Sequence, residues 1–160
     1  MSADPPRYTA ADIQVVAGMA LLRRRPAMFL PGGRYSPEDV ASRLVHAALL
    51  LGARQLVVER VGAGESWWVV RSGTDWLPPG DPLAPLRRAT PFPEAGPNSM
   101  RPEILPTAYA ARVVTATADG AEVIKGATDS EMESHLESVR RAGALGRLIA
   151  FGGEDPLDAS

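Results

Sequence analysis

The sequence predicts an α/β chain of the α+β two-layer type, a mostly antiparallel sheet carrying helices on one face, and three observations predict it. Two separate stretches read strand–turn–strand, with glycine at each turn. Three others carry apolar residues at helical spacing behind a capping side chain. A last short apolar run, residues 147–151, ends at Gly152-Gly153. No internal repeat accompanies them, and at 160 residues one domain spanning 1–160 is expected.

The elements follow in order. Thr9 with Asp12 three residues on opens a first helix. Ile13, Val16, Ala17, Ala20 and Leu21 give it one apolar face, and Pro26 stops it. Arg23, Arg24 and Arg25 fall in its last turn, where cations suit the negative end of the helix dipole, so they read either as a solvated helix end or as a contact surface. Ser36 caps a second helix over 36–51, with Pro37 at its first position, acids in the first turn and Gly52 as its stop. Residues 55–61 and 66–71 form the first hairpin, around Gly62-Ala63-Gly64. Trp67 and Trp68 point to opposite faces of its second strand, one into the core and one half exposed. Residues 111–117 and 121–125 form the second hairpin, turning at Asp119-Gly120. Asp129 caps a short helix whose Met132, Leu136 and Val139 share a face.

Residues 74–106 break this texture. Prolines at 78, 79, 82, 85, 91, 93, 97, 102 and 106 remove backbone donors, so the segment reads as a long extended or mobile loop. A loop of that length in a compact domain is usually functional or disordered.

Composition excludes several function classes. Apolar content of 45% and charged content of 22% are ordinary for a globular chain. A net charge of −2 leaves no footprint of a general nucleic-acid binder. No apolar run reaches membrane-spanning length and no secretory signal is read, so no membrane partner and a cytoplasmic location are expected. The absence of cysteine rules out disulfides and thiolate metal sites and fits that compartment. His46 and His135 each stand alone in helical stretches and read as structural or surface residues. No Walker loop, dinucleotide fingerprint, metal-ligand spacing or nucleophile motif is present.

One block is specific. Tyr8, Ile13, Val15, Val16, Gly18, Met19, Leu22, Arg23, Arg25, Pro26, Met28 and Phe29 fall without a gap on a pattern of Tyr, four residues, Ile-x-Val-hydrophobic-x-Gly, then Arg-x-Arg-Pro-x-Met-aromatic. Residues 8–32 thereby resemble the N-terminal arm and first helix of the gyrase B and topoisomerase IV ATPase domain, of the Bergerat (GHKL) fold. Fainter likeness extends to Trp76-Leu77-Pro78 and to Gly146-Arg147-Leu148-Ile149-Ala150-Phe151 followed by Glu154-Asp155-Pro156.

The same resemblance implies that the catalytic machinery is lost. The family's second helix carries a general-base Glu and, four residues later, an Asn that holds Mg²⁺. Those places are taken by His46 and Leu50, and a leucine cannot coordinate a hard cation. The adenine-binding Asp falls on Gly73, with Asp75 close by, and Trp76 stands where a glycine lets the base approach. The family's glycine-rich lid falls on residues 91–106, which offer Gly96 and abundant proline. The expectation is a domain without cofactor, metal or ATP hydrolysis.

The resemblance implies a function through protein contacts. The family's arm crosses to a partner protomer, so residues 1–8, with Tyr8, Ile13, Arg23, Arg25 and Met28, are the candidate partner-binding set for a homodimer or a gyrase-B-type partner. The alternative is a small-ligand module whose remodelled pocket draws on His46, Leu50, Gly73, Asp75 and Trp76, with the tryptophans and residues 74–106 as walls. An active ATPase is the remaining and weakest reading.

Overall fold

Five strands, β1 (Val57–Val61), β2 (Trp67–Ser72), β3 (Arg112–Thr117), β4 (Gly120–Lys125) and β5 (Arg147–Gly152), make one sheet in the order β1–β2–β5–β3–β4. Every neighbouring pair is antiparallel. The coordinates are a computed structural model and describe residues 18–157. Tyr8, Ile13 and the Thr9–Asp12 helix start lie outside the described residues. The helices are α1 (Gly18–Arg24), α2 (Pro37–Leu50), α3 (Ala84–Arg87), α4 (Ile104–Tyr109) and α5 (Ser130–Arg141). The α+β class with an antiparallel sheet stands as predicted, and so do both hairpins.

The caps act as the sequence indicates. Ser36 Oγ accepts from the Asp39 N–H, and α2 closes on a Schellman turn in which Ala53 N–H reaches Ala48 O at 2.9 Å with Gly52 at φ +81°. Asp129 accepts from the Met132 N–H at 2.8 Å and also from Trp67 Nε1 at 2.9 Å. Arg112 reaches the same carboxylate at 3.0 Å while its guanidinium lies over the Trp67 ring, 4.0 Å from the centroid.

Helices cover both faces of the sheet, which corrects the expectation of helices on one face. Along β5 the side chains alternate. Ile149 and Phe151 join Val70, Val113, Leu44 and Ile104 under α2 and α4. Leu148 and Ala150 join Trp67, Val69, Val114, Met132 and Leu136 under α5. A central strand buried on both faces reads as an unbroken apolar run, and residues 148–151 are one. Trp67 is fully buried on the α5 side and Trp68 is half-buried on the other, as predicted.

The proline-rich segment is packed structure, which corrects its reading as an extended or mobile loop. Trp76, Leu77, Leu86, Phe92, Ile104 and Leu105 are all core residues. Pro85 and Pro106 each sit in the first turn of a helix, where the missing N–H has no intrahelical acceptor. What holds the segment is a buried carboxylate. Glu103 is fully buried and accepts from Trp76 Nε1 at 3.1 Å and from Arg101 Nη2 at 2.7 Å and Nε at 3.2 Å. Arg101 N–H then bonds Thr90 O at 2.9 Å, and its guanidinium faces the Phe92 ring.

Removing one member of that pair leaves a buried charge alone. Glu103→Ala is expected to cost about 3–5 kcal/mol in urea unfolding, whereas replacing both Arg101 and Glu103 with apolar side chains of similar volume should cost clearly less.

Candidate functional site

Helix α2 has a buried face of Val40, Ala41, Leu44, Ala47 and Ala48, and the 3.6-residue period leaves Glu38, Ser42, His46, Leu49 and Leu50 outward. Leu49 and Leu50 are 58% and 45% exposed. Beside this outward face lie the turn Pro26–Met28 and the segment around residues 89–102, where an isolated bridge pairs Pro91 with Met100. A groove runs between them. It consists of three adjoining depressions of about 600, 510 and 530 Å³ that share Met100. Phe29, Phe92 and several prolines form its walls.

Arg43 stands where the first two depressions meet. Its Nη1 donates to Phe29 O at 2.8 Å and its Nε lies 3.0 Å from Asp39 Oδ2, one helical turn back. These two contacts fix the guanidinium. Met28, at 65% exposure, lines the same groove.

The positions singled out by sequence are dispersed. His46 is exposed and lines the second depression. Leu50 lies a turn further on α2, outside the lining of the groove. Trp76 is only 4% exposed and belongs to the core, because Glu103 supplies the acceptor its ring N–H needs. Asp75 is held by Arg147 at 3.0 and 2.8 Å and accepts from the Leu77 N–H. Gly73 follows the end of β2 and donates its N–H to Arg54 O at 3.0 Å. The five do not form one pocket, which corrects that expectation. The element that joins 73–77 to the core turns Trp76 inward and leaves Asp75 to the β5 arginine.

Among the candidate partner residues, Arg23 is held inside the molecule. It donates to Ala108 O at 2.6 Å and to Pro156 O at 2.9 Å, and pairs with Asp155 at 3.2 Å. Arg25 is exposed with no side-chain partner among the described residues, and Met28 is exposed. Sequence reasoning missed Arg43, Phe92 and Met100. The one available signal was the alternation of Pro91, Phe92 and Pro93, aromatic and proline surface in one run.

The Asp155 clasp is the main electrostatic feature beside the groove-bearing layer. Lys125 Nζ reaches the same carboxylate at 2.7 Å and also donates to Thr107 O. The Asp155 N–H bonds Tyr109 O at 2.8 Å, and Tyr109 hydroxyl donates to Leu22 O. The hydrogen bond from Lys125, helped by its charge and that of Arg23, holds the Asp155 carboxyl below its ordinary value. Hydrogen bonds from Met132 N–H and Trp67, with Arg112, do the same for Asp129. Burial pushes the Tyr109 phenol up to about 12. Among the described residues no group of three or more His, Asp or Glu side chains is placed to hold a metal, and no helix is long and apolar enough to cross a membrane.

Comparison of the chain with protein-family models, with curated proteins and with solved structures finds no match.

The pH dependence follows from these shifts. Lowered carboxyl pKa values at Asp129 and Asp155 mean that the ionised forms favour the fold. Their contribution is complete above the ordinary value of 3.8 and is lost as pH falls through it toward the lowered values. Asp155→Asn is expected to be less stable than the parent at neutral pH and to converge with it in strong acid, measured by urea unfolding. The Tyr109 contribution has the opposite sense, intact below 10 and lost as pH rises toward about 12.

Proposed function

We propose that the chain is a non-catalytic relative of the gyrase B ATPase domain that works through protein contacts, by self-association or by modulating a type II topoisomerase. The observation that carries this reading is the outward face of α2. The Ser36 cap and the Schellman turn at Gly52 fix the helix register, so the residues presented outward are not a matter of alignment. Beyond its first turn they are Ser42, His46, Leu49 and Leu50, with no carboxylate or amide to activate water or hold Mg²⁺. The acids of the first turn are engaged elsewhere, Glu38 accepting from Ser36 Oγ and Asp39 paired with Arg43. Two exposed leucines in sequence suit a partner surface better than a phosphate site. Trp76, core-bound, occupies the place the resemblance gives to a close-approach glycine.

The segment matched to the ATP lid adds support. Its prolines lack the N–H groups that wrap a triphosphate, and the buried Arg101–Glu103 pair anchors it. In this proposal the arm, residues 1–8 with Tyr8, supplies a contact to the partner.

A small-ligand role is the second reading, favoured by the groove volume of about 600 Å³, which is in the range of ligand sites. Its walls are then Phe29, Phe92 and Met100, because Trp67 and Trp76 belong to the core.

Calorimetric titration with a non-hydrolysable ATP analogue and Mg²⁺ tests the loss of nucleotide chemistry. No heat is expected up to about millimolar ligand, and micromolar affinity would return the chain to the ATPases. In parallel, light scattering of the chain alone and with a purified gyrase B subunit should reveal a complex that deletion of residues 1–8 or Tyr8→Ala abolishes. A strictly monomeric chain that ignores gyrase B would defeat the partner reading.

A further inference from the structure

The groove over α2 has a distribution of charge that its surroundings do not share. The chain carries 19 acidic residues against 17 Lys and Arg. Yet no carboxylate lines any of the three depressions, and the ionisable side chains that do are Arg43 and His46. Both sit on α2 one turn apart, on the same wall, and face apolar surface from Phe92, Met100 and Pro102. Arg43 is held by Asp39 and Phe29 O through Nε and Nη1, while its Nη2 has no partner among the described residues. His46 likewise has no side-chain partner among them. The groove therefore offers a fixed guanidinium edge and an imidazole above a broad apolar floor.

We propose that this groove docks an extended segment of a partner protein in which apolar side chains flank one or two acidic ones. The inference rests on the reading of the chain as a protein-contact module and names the chemistry of its partner. Three adjoining depressions around Met100 seat successive side chains of an extended chain, with Met28 at one end. A carboxylate matches a guanidinium edge in geometry and charge. A polyphosphate does not suit the site, since the prolines that form the walls donate no N–H and Arg43, with Nε and Nη1 engaged, leaves only Nη2 open, enough for one carboxylate oxygen but not for a chain of phosphates. Exposed apolar side chains such as Met28 supply the anchoring surface, and the charges set register and partner choice.

The test uses the whole chain and fluorescein-labelled peptides that alternate Leu and Phe with Glu, with matched peptides carrying Gln or Lys in place of Glu. Fluorescence anisotropy is expected to show the Glu peptide binding about tenfold or more tighter than the Gln peptide, with no binding of the Lys peptide and a loss of affinity at high salt. His46→Glu and Met28→Glu alter exposed side chains, so both should fold, as circular dichroism will verify. Each should weaken the Glu peptide by about tenfold or more, the effect expected of setting a like charge against the peptide or of losing an apolar anchor. Equal binding of all three peptides, or Glu-peptide binding that survives both substitutions, overturns the proposal. Displacement of the peptide by ATP at micromolar concentration overturns the proposal and the non-catalytic reading together. Failure of the peptides with gyrase B binding intact overturns the groove alone.

Discussion

The carboxylate of Glu103 is the constraint on which the proline-rich segment of the molecule, residues 74–106, depends. It sits at the far end of a segment that begins near Trp76, and by accepting from both Trp76 and Arg101 it ties the two ends together inside the core. The run forms local backbone hydrogen bonds in α3, at the Pro91–Met100 bridge and in its turns, but none of them joins Trp76 to Glu103. Side-chain donors converging on one buried acceptor make that connection. A fully buried carboxylate is costly without such partners and specific with them. The position of Phe92 and Met100, and hence the shape of the groove, follows from that anchor through Arg101.

How much of this was legible in the sequence depended on the range of the interactions involved. Caps and hairpins are local: Ser36, Gly52 and Asp129 act within a few residues of themselves and stand as predicted, and the second hairpin turns one residue earlier than expected, at Ala118-Asp119, with Gly120 already in β4. The Glu103 node joins residues 27 positions apart, and nothing in the spacing of Trp76, Arg101 and Glu103 announces it. The same holds for Arg23, whose helix-end position suggested a solvated or partner-facing cation. Its partners Asp155 and Pro156 lie over 130 residues away. Helices on both faces were legible in principle, because residues 148–151 are apolar without alternation and a half-exposed strand is not.

The candidate site divides in the same way. His46 and Met28 were singled out by position in a pattern, and both line the groove. Leu50, Gly73, Asp75 and Trp76 came from the same pattern and do not. The difference is physical. His46 and Met28 sit on elements whose orientation is set locally, by the capped helix α2 and by the turn that Pro26 imposes. Gly73 to Trp76 follow a strand end where long-range partners decide: Arg147 claims Asp75 and Glu103 claims Trp76.

These two anchors bear on function together. Arg147 is buried in the central strand and Glu103 in the core, and of the residues that would border a nucleotide in the proposed kinship Trp76 is thereby bound into the interior, while Asp75 stays at the surface with its carboxylate held by Arg147. Each anchor leaves its own polar groups internally satisfied. Buried donors and acceptors without partners are costly. Here Trp76, Arg101, Glu103 and the Asp75–Arg147 pair are all partnered. The outward face of α2, by contrast, carries the exposed leucines Leu49 and Leu50. Satisfied polar groups inside and apolar side chains left open outside are the arrangement that the proposed protein-contact reading requires.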